Sequence, residues 1–239
     1  MNKKTVVIVS EHYGKWGAER STCSLASYLR ALGNRVIVII PHPGEIIDML
    51  EHGRVEYRVH FFKGWVYYGK KNYLKWFVIR FTNWFQLHRL ESIFISEDIH
   101  PDIIYSNTLV HGFGIDLARR FKVPHIQHIR ENVNTFKMHF YKGYADTLNY
   151  INRYSEKVIC TCKSIFDRYS NDIDNYKLTY IYNGVPICKY KVKTNPNRGC
   201  LRLLYVGRLG EDKRPQDILK AICKLINDGS DNLILDIYG

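Results

Sequence analysis

A basic loop towards the end of the chain has the residue types that bind an anion. A short apolar run precedes Gly207, and apolar residues recur at helical spacing after Pro215, which favours the first position of a helix. Arg208 and Lys213 lie between them, and a helix N-terminus adds free N–H groups and partial positive charge. The pattern predicts a strand, a loop and a helix that hold an anion such as a diphosphate. A solvated surface loop is the alternative, which the two carboxylates of the loop favour.

Several polar residues near the middle of the chain lie at the carboxyl ends of predicted strands. They are Ser106, Asn107, His111, His128, Arg130 and Glu131. Ligands on open α/β sheets bind at the carboxyl ends of the strands, so any of these side chains could face a ligand. A loop asparagine also closes turns, and a strand histidine is often a hydrogen-bonded structural residue. His128 therefore has two interpretations, a catalytic or ligand-contacting residue and a structural one.

The elements that must position these residues alternate between strand and helix. Apolar runs predict strands at Thr5–Ser10 and Val36–Ile40, and helical spacing predicts a helix at Ala18–Leu32 between them. The pattern returns with strands at Asp102–Tyr105 and Val123–Ile129. Such βαβ units predict an α/β fold, a Rossmann-like parallel sheet with helices on both faces.

The loop after the first predicted strand argues against a dinucleotide cofactor. Residues 11–17 include Gly14 and Gly17 but lack the G-x-G-x-x-G pattern, and no acidic residue ends the second strand. The six cysteines match neither a zinc site nor a secreted disulfide framework. We therefore expect no cofactor and no metal.

A turn and a stretch without periodicity divide the chain. One turn is predicted by the residue types of Asn183-Gly184-Val185-Pro186, and the residues up to 199 are basic and interrupted by proline. We predict a first Rossmann-like domain over residues 1–186, a linker over 187–200 and the incomplete start of a second such domain, one βαβ unit, over 201–239. A domain of about 40 residues rarely buries an adequate core alone.

Residues 63–90 combine nine aromatic residues and six Lys or Arg with no carboxylate. An apolar stripe recurs at helical spacing, made of Leu74, Phe77, Val78, Phe81, Trp84 and Phe85. One interpretation is a core helix whose stripe packs on the sheet. The other is an interfacial surface on anionic lipid, because tryptophan and lysine suit a headgroup region. The surface residues are then Lys70, Lys71, Lys75, Trp76 and Trp84.

The chain is strongly basic, with a net charge of +12. Residues 200–239 contain six Lys or Arg and six Asp or Glu, so the whole excess lies in residues 1–199. A membrane surface or a nucleic acid would explain it, but no nucleic-acid recognition motif accompanies the charge. No apolar run is long enough for a signal peptide or a membrane span, so we expect a cytoplasmic location, with peripheral membrane contact through residues 63–90.

Three short motifs together resemble glycosyltransferase family 4, over nearly the whole chain. They are Trp16-Gly17-Ala18-Glu19-Arg20, similar to the family's Gly-Gly-x-Glu loop, then Ile181-Tyr182-Asn183-Gly184-Val185-Pro186, and Val206-Gly207-Arg208-Leu209 with Lys213. The resemblance implies a GT-B fold, in which two Rossmann-like domains face each other. It also implies transfer of a sugar from a nucleotide-sugar donor to an acceptor hydroxyl with retained anomeric configuration.

The resemblance implies roles for particular residues. The expected residues are Gly207, Arg208 and Lys213 for the donor diphosphate, Gly17, Glu19 and Asn107 for the acceptor side of the cleft, and His128 for catalysis in contact with the sugar. Fixed cations and a helix N-terminus would stabilise the departing diphosphate, so no metal is required. The expected acceptor is a glycan of the cell envelope or a polysaccharide, or a lipid-linked glycan.

Two features depart from the family pattern. Trp16 stands where the family has its first glycine, and the family's glutamate pair for the donor ribose and sugar has no counterpart after Glu211. We therefore expect a C-terminally truncated member that is inactive or impaired alone. A non-catalytic subunit that docks on a partner supplying the donor half is one alternative. A basic nucleic-acid-binding protein is the other, although the favoured function involves no nucleic acid.

Overall fold

The computed structural model describes residues 3–11, 14–70, 72–134, 137–184, 200–210, 213–230 and 232–239. The chain divides into two compact units, Met1–Val185 and Pro186–Gly239. Each unit is described by itself below.

A parallel sheet forms the centre of the first unit. In chain order the strands are β1 (Thr5–Ser10), β2 (Arg35–Ile40), β3 (Glu56–Val59), β4 (Val66–Tyr67), β5 (Ile103–Asn107), β6 (His125–Ile129), β7 (His139–Phe140), β8 (Lys157–Cys160) and β9 (Leu178–Tyr180). Seven of them form one sheet in the order β3-β2-β1-β5-β6-β8-β9, with all pairs parallel. Strands β4 and β7 form a separate antiparallel pair. The predicted α/β fold is confirmed.

Helices cover both faces of this sheet. They are α1 (Gly17–Ala31), α2 (Ile46–His52), α3 (Tyr73–Ser96), α4 (Phe113–Phe121), α5 (Tyr144–Tyr154) and α6 (Lys163–Tyr169). Successive side chains of a strand point to opposite faces of its sheet. Val7 of β1 shares a buried cluster with Leu90 of α3 and Phe113 of α4. Its neighbour Val6 shares the opposite cluster with Ala26 of α1.

The strand register brings three polar residues into one row. Ser10 at the end of β1 pairs with Asn107 at the end of β5, and Asn107 pairs with His128 in β6. All three side chains are buried. The carboxyl ends of β1, β5 and β6 therefore meet at one edge of the sheet, next to the first turn of α1.

Helix α3 buries a different face from the one that its apolar stripe predicted. Ile79, Leu87, Leu90 and Phe94 point inward and are at most 6% exposed. The predicted stripe lies on the opposite side of the helix, where Leu74 is 74% and Phe81 is 70% exposed. The core-helix interpretation of that stripe is therefore wrong. Both faces are apolar at helical spacing, so periodicity alone could not tell which one packs on the sheet.

The second unit contains one βαβ element. Strands β10 (Leu201–Val206) and β11 (Leu233–Tyr238) pair in parallel around helix α7 (Pro215–Asn227). Pro215 occupies the first helical position, as predicted. After the helix, Gly229 has φ +91° and donates to the carbonyl of Ile226, while Ser230 donates to that of Leu225. This is a Schellman cap, which explains the glycine.

The side chains of the second unit remain accessible. None of its described residues is buried, and apolar residues such as Leu204 and Val206 are 62% and 72% exposed. A two-stranded sheet with one helix has too few layers to enclose a core. In the described part of the whole chain, no helix is long and apolar enough to cross a bilayer.

Candidate functional site

Arg130 is the centre of a hydrogen-bond network at the carboxyl ends of β5 and β6. Its Nε donates to Asn107 Oδ1 at 2.5 Å, its Nη2 to Ser21 Oγ at 2.7 Å and its Nη1 to Asn183 Oδ1 at 3.2 Å. Ser21 belongs to α1, and Asn183 belongs to the predicted turn after β9. One guanidinium therefore links two strand ends, the start of a helix and a turn. Its fixed fork of donors suits such a junction.

The first turn of α1 is held against this junction. Asn107 Nδ2 donates to Thr22 Oγ1 at 2.6 Å and to the carbonyl of Ala18 at 3.3 Å. Glu19 is buried, and its Oε1 accepts from the backbone N–H of Gly14 at 3.2 Å. A side chain at Gly17 would meet no atom within 4 Å, so this backbone borders open space. The structure thus brings together Gly17, Glu19 and Asn107.

His128 is held as a neutral hydrogen-bond donor. Arg130 Nη2, which can only donate, lies 3.4 Å from His128 Nδ1. This nitrogen therefore accepts, and in its hydrogen bond with Tyr105 the tyrosine hydroxyl is the donor. Burial, and next the positive charge of Arg130, lower the pKa of His128 to about 3. Because Nδ1 accepts, the neutral ring carries its proton on Nε2. That Nε2 is buried and has no hydrogen-bond partner among the described residues.

A carboxyl group after β1 was missed by the sequence analysis. Burial, and next the charge of Glu131, raise the pKa of Glu11 to about 8, although a backbone hydrogen bond from Gly64 opposes them. Glu131 Oε2 accepts from the N–H groups of Leu109 at 2.9 Å and Arg130 at 3.1 Å. The signal that could have found Glu11 is its position, because it directly follows a buried strand of the central sheet.

Several buried polar atoms at this edge lack partners among the described residues. They are Glu11 Oε2, Glu19 Oε2, Thr108 Oγ1 and His128 Nε2. Buried polar groups are normally hydrogen-bonded, so such a concentration calls for an explanation. Thr108 also has φ +98°, a strained conformation for a β-branched residue. Unpaired groups and backbone strain together indicate a ligand-binding site.

Other polar residues that the sequence indicated, Ser106 and His111, are buried and have structural roles. Ser106 and His125 are fully buried and hydrogen-bonded at 2.8 Å, and His125 also bonds Ser155 at 2.9 Å. His111 is buried against the ring of Phe62. Within the described ranges, no three His, Cys, Asp or Glu residues are close enough together to hold a metal ion.

The basic loop of the second unit is exposed. Gly207 follows β10, the side chains of Arg208 and Lys213 face solvent, and the carbonyl of Arg208 accepts from the Tyr205 hydroxyl at 3.2 Å. Arg214 precedes α7 and cannot cap it, because a guanidinium offers no acceptor. The loop thus leads from Arg208 to a helix start whose N-cap side chain accepts no hydrogen bond. Its carboxylates, Glu211 and Asp212, lie outside the described residues.

The predicted membrane residues fall into different environments. Lys70 and Lys75 are exposed, and Trp84 is 54% exposed. Trp76 is half-buried and stacks on Tyr141 with the ring centroids 5.8 Å apart, so it anchors α3 instead of facing outward. Lys71 lies outside the described residues.

Comparison with known proteins gives a family match and several fold matches. The model of Glycosyltransferase Family 4 matches residues 17–188. HepE of Anabaena, solved with UDP and glucose, aligns with a TM-score of 0.62 and 15% identity over 99% of this chain and 70% of its own. A glycosyltransferase of Rickettsia africae aligns with a TM-score of 0.61 and 15% identity over 100% of this chain and 69% of its own. MurG of Acinetobacter baumannii aligns with a TM-score of 0.59 and 15% identity over 98% of this chain and 68% of its own. The curated proteins contain no match.

Proposed function

The chain belongs to glycosyltransferase family 4, and we propose that it transfers a hexose from a nucleotide sugar to a hydroxyl of a cell-envelope or polysaccharide glycan. The family match and the GT-B fold of its structural neighbours support glycosyl transfer in general. HepE was solved with UDP-glucose, which supports a nucleotide-sugar donor. We expect the acceptor to be lipid-linked and the transfer reaction to take place in the cytoplasm.

The observation that carries this proposal is the set of unpaired polar atoms at the carboxyl ends of the parallel sheet. Leaving a buried donor or acceptor unpaired costs about 1–3 kcal/mol. A sugar and its acceptor carry many hydroxyl groups, which both donate and accept hydrogen bonds. Such ligands would satisfy His128 Nε2 and the free oxygens of Glu11 and Glu19.

In the proposed reaction the diphosphate leaves the anomeric carbon of the donor. Negative charge develops on its oxygens, and Arg208, Lys213 and the first N–H groups of α7 stabilise it. The backbone at Gly207 gives the phosphates close access. These fixed positive groups act without a metal ion. The acceptor oxygen then bonds to the anomeric carbon, and its proton passes to an oxygen of the departing diphosphate.

His128 acts in this scheme through a hydrogen bond and not as an acid. Its pKa of about 3 keeps the imidazole neutral at pH 7, so Nε2–H can donate to a hydroxyl of the transferred sugar. Tyr105 and Arg130 are positioning residues, because they fix the ring through Nδ1. Gly17, Glu19 and Asn107 shape the acceptor side of the cleft.

Binding of nucleoside diphosphates tests the donor half of this proposal. Calorimetry should show that UDP, ADP or GDP binds the protein and that the matching nucleoside does not. The double variant Arg208→Gln, Lys213→Gln should bind at least tenfold more weakly, because each charge-assisted bond contributes about 1.5–3 kcal/mol. The control Lys220→Gln, Lys224→Gln removes two exposed cations of α7 and should bind normally. Equal affinity for nucleoside and diphosphate would refute the diphosphate site.

A second candidate function is that of a non-catalytic subunit. The absence of any buried residue in the described part of the second unit favours it, since a partner chain could cover the exposed apolar side chains. Co-purification of a stoichiometric partner would support this function. A monodisperse monomer that binds a nucleoside diphosphate would argue against it.

A further inference from the structure

A cavity of about 530 Å³ opens between α3, α4 and α5, away from the site described above. None of its lining residues belongs to the network around Arg130 and His128. Three of the four tryptophans of the chain line it: Trp65, Trp76 and Trp84. Its charged lining consists of Arg80, Arg119, Arg120, Lys142 and Asp116. We call this cavity the cationic pocket.

Two cations of the cationic pocket have carboxylate partners. Arg120 pairs with Glu91 at 2.7 Å, and Arg119 lies 3.7 Å from Asp116 and donates to Tyr150 at 2.8 Å. The Tyr150 hydroxyl in turn donates to Asp116. These contacts fix the wall formed by α4 and α5. They leave the remaining cations without an ion pair of their own, although the Asp116 carboxylate attracts both through space.

Arg80 and Lys142 are those remaining cations. Among the described residues, no carboxylate oxygen lies within 4 Å of either of them. Arg80 lies over the ring of Trp76 at 6.0 Å, and Lys142 over the ring of Tyr150 at 4.3 Å. The pocket thus has net positive charge and aromatic walls. These suit a ligand in which an anionic group is attached to a glycerol unit or an apolar chain.

The outer face of α3 continues from the edge of this pocket. It consists of Leu74, Phe77, Val78, Phe81, Trp84 and Phe85, and each is at least 47% exposed. Trp84 belongs to both surfaces, because it lines the pocket and stacks on Phe81 at 6.1 Å. No carboxylate occurs in residues 63–90. An apolar helical face in a segment that contains cations and no carboxylate matches the interface of an anionic bilayer.

We infer that the cationic pocket binds the phosphate headgroup of an anionic membrane lipid while the outer face of α3 inserts among the acyl chains. Burial of the apolar side chains of α3 attracts the helix to the bilayer. Each cation near an anionic surface adds about 1 kcal/mol to the binding free energy. The pocket adds selectivity, because Arg80 and Lys142 reach a phosphate without first breaking an ion pair. This inference goes beyond the transfer reaction and is tested without any nucleotide sugar.

Vesicle binding tests the inference with the full chain. Vesicles of phosphatidylcholine with phosphatidylglycerol are compared with vesicles of phosphatidylcholine alone, by sedimentation and by tryptophan fluorescence. The wild type should bind only the anionic vesicles, with a blue shift because Trp84 enters an apolar environment. Binding should weaken as salt is added, since the pocket charges are near the surface.

Paired variants separate the two surfaces. Arg80→Gln with Lys142→Gln should bind anionic vesicles about 30-fold more weakly, since two favourable charges are lost. Lys220→Gln with Lys224→Gln is the control with the same change in net charge. Phe77→Ser with Phe81→Ser should abolish sedimentation, whereas Tyr28→Ser with Tyr176→Ser, an equally exposed aromatic pair, should not. The charge-conserving pair Arg80→Lys with Lys142→Arg should retain binding, which separates charge from folding.

Three results would overturn the inference. Equal binding to neutral vesicles, unaffected by Arg80→Gln with Lys142→Gln, would exclude a headgroup site. Saturable quenching by glycerol 3-phosphate without vesicle binding would identify a soluble anion as the ligand. A dimer in sedimentation velocity that Phe77→Ser with Phe81→Ser converts to a monomer, with no vesicle binding, would show that a second copy covers the outer face of α3.

Discussion

At the scale of single residues, the environment of His128 decides what it can do. The ring is surrounded by a tyrosine hydroxyl and a guanidinium, so it stays neutral and presents one N–H. Such a group orients a substrate but supplies no proton near neutral pH. The sequence predicted His128 as the catalytic residue, and that role stays a prediction. The tautomer depends on Tyr105, which no sequence pattern marked.

The first prediction concerns this tautomer. Tyr105→Phe removes the main donor to His128 Nδ1, so the imidazole should become a mixture of its two neutral tautomers. The ¹⁵N chemical shifts of His128 would report the change. Tyr28→Phe, at an exposed position, serves as the control. If His128 kept its proton on Nε2 alone, Tyr105 would not be its positioning residue.

The second prediction concerns Glu11. Its pKa is raised from 4.5 to about 8, so between these pH values the folded chain holds a proton that the unfolded chain has released. The free energy of unfolding should therefore fall as the pH rises through this range. Glu11→Gln imitates the protonated form and removes this loss. We expect it to gain about 3.5 kcal/mol over the wild type between pH 5 and pH 8.

Chemical denaturation at the two pH values provides the measurement. Lys15→Gln, which changes an exposed charge nearby in sequence, should show the same pH dependence as the wild type. A constant difference between Glu11→Gln and the wild type at both pH values would show that Glu11 has an ordinary pKa.

At the scale of elements, the sequence predicted the central strands because their apolar β-branched runs are unambiguous. It predicted the anion loop because Pro215 and Gly229 mark the ends of α7. It could not predict which face of α3 is buried, since both are apolar. It also missed α2 and β3, which are short and amphipathic only in part. The network around Arg130 could not be predicted from the sequence, because the four elements involved meet only in the folded sheet.

The third prediction tests the faces of α3. Leu87 is 6% exposed, so Leu87→Ala should leave a cavity and lower the free energy of unfolding by about 2–5 kcal/mol. Phe81 is 70% exposed, and Phe81→Ala should change it by less than about 0.5 kcal/mol. Urea denaturation of the two variants measures both. Equal losses of unfolding free energy in the two variants would show that the predicted stripe lies in the core.

At the scale of the whole molecule, the cationic pocket and the diphosphate loop belong to different units. The net positive charge belongs to residues 1–199, where the cationic pocket and the outer face of α3 lie. The diphosphate loop lies within residues 200–239, whose charges balance. A transferase for a lipid-linked acceptor needs a membrane contact as well as a donor site. In this proposal the outer face of α3 holds the chain at the membrane, and the diphosphate loop binds the donor.

Release of a nucleoside diphosphate from nucleotide sugars tests the central claim most directly. The purified chain is incubated with a panel of nucleotide sugars and anionic vesicles that contain envelope lipids, and the diphosphate and the glycosylated product are measured. Since we expect an impaired chain, we predict only slow release, with at least one donor, matched by product of retained configuration and lost in Arg208→Gln with Lys213→Gln. The claim would be contradicted if every donor gave only the rate of that variant.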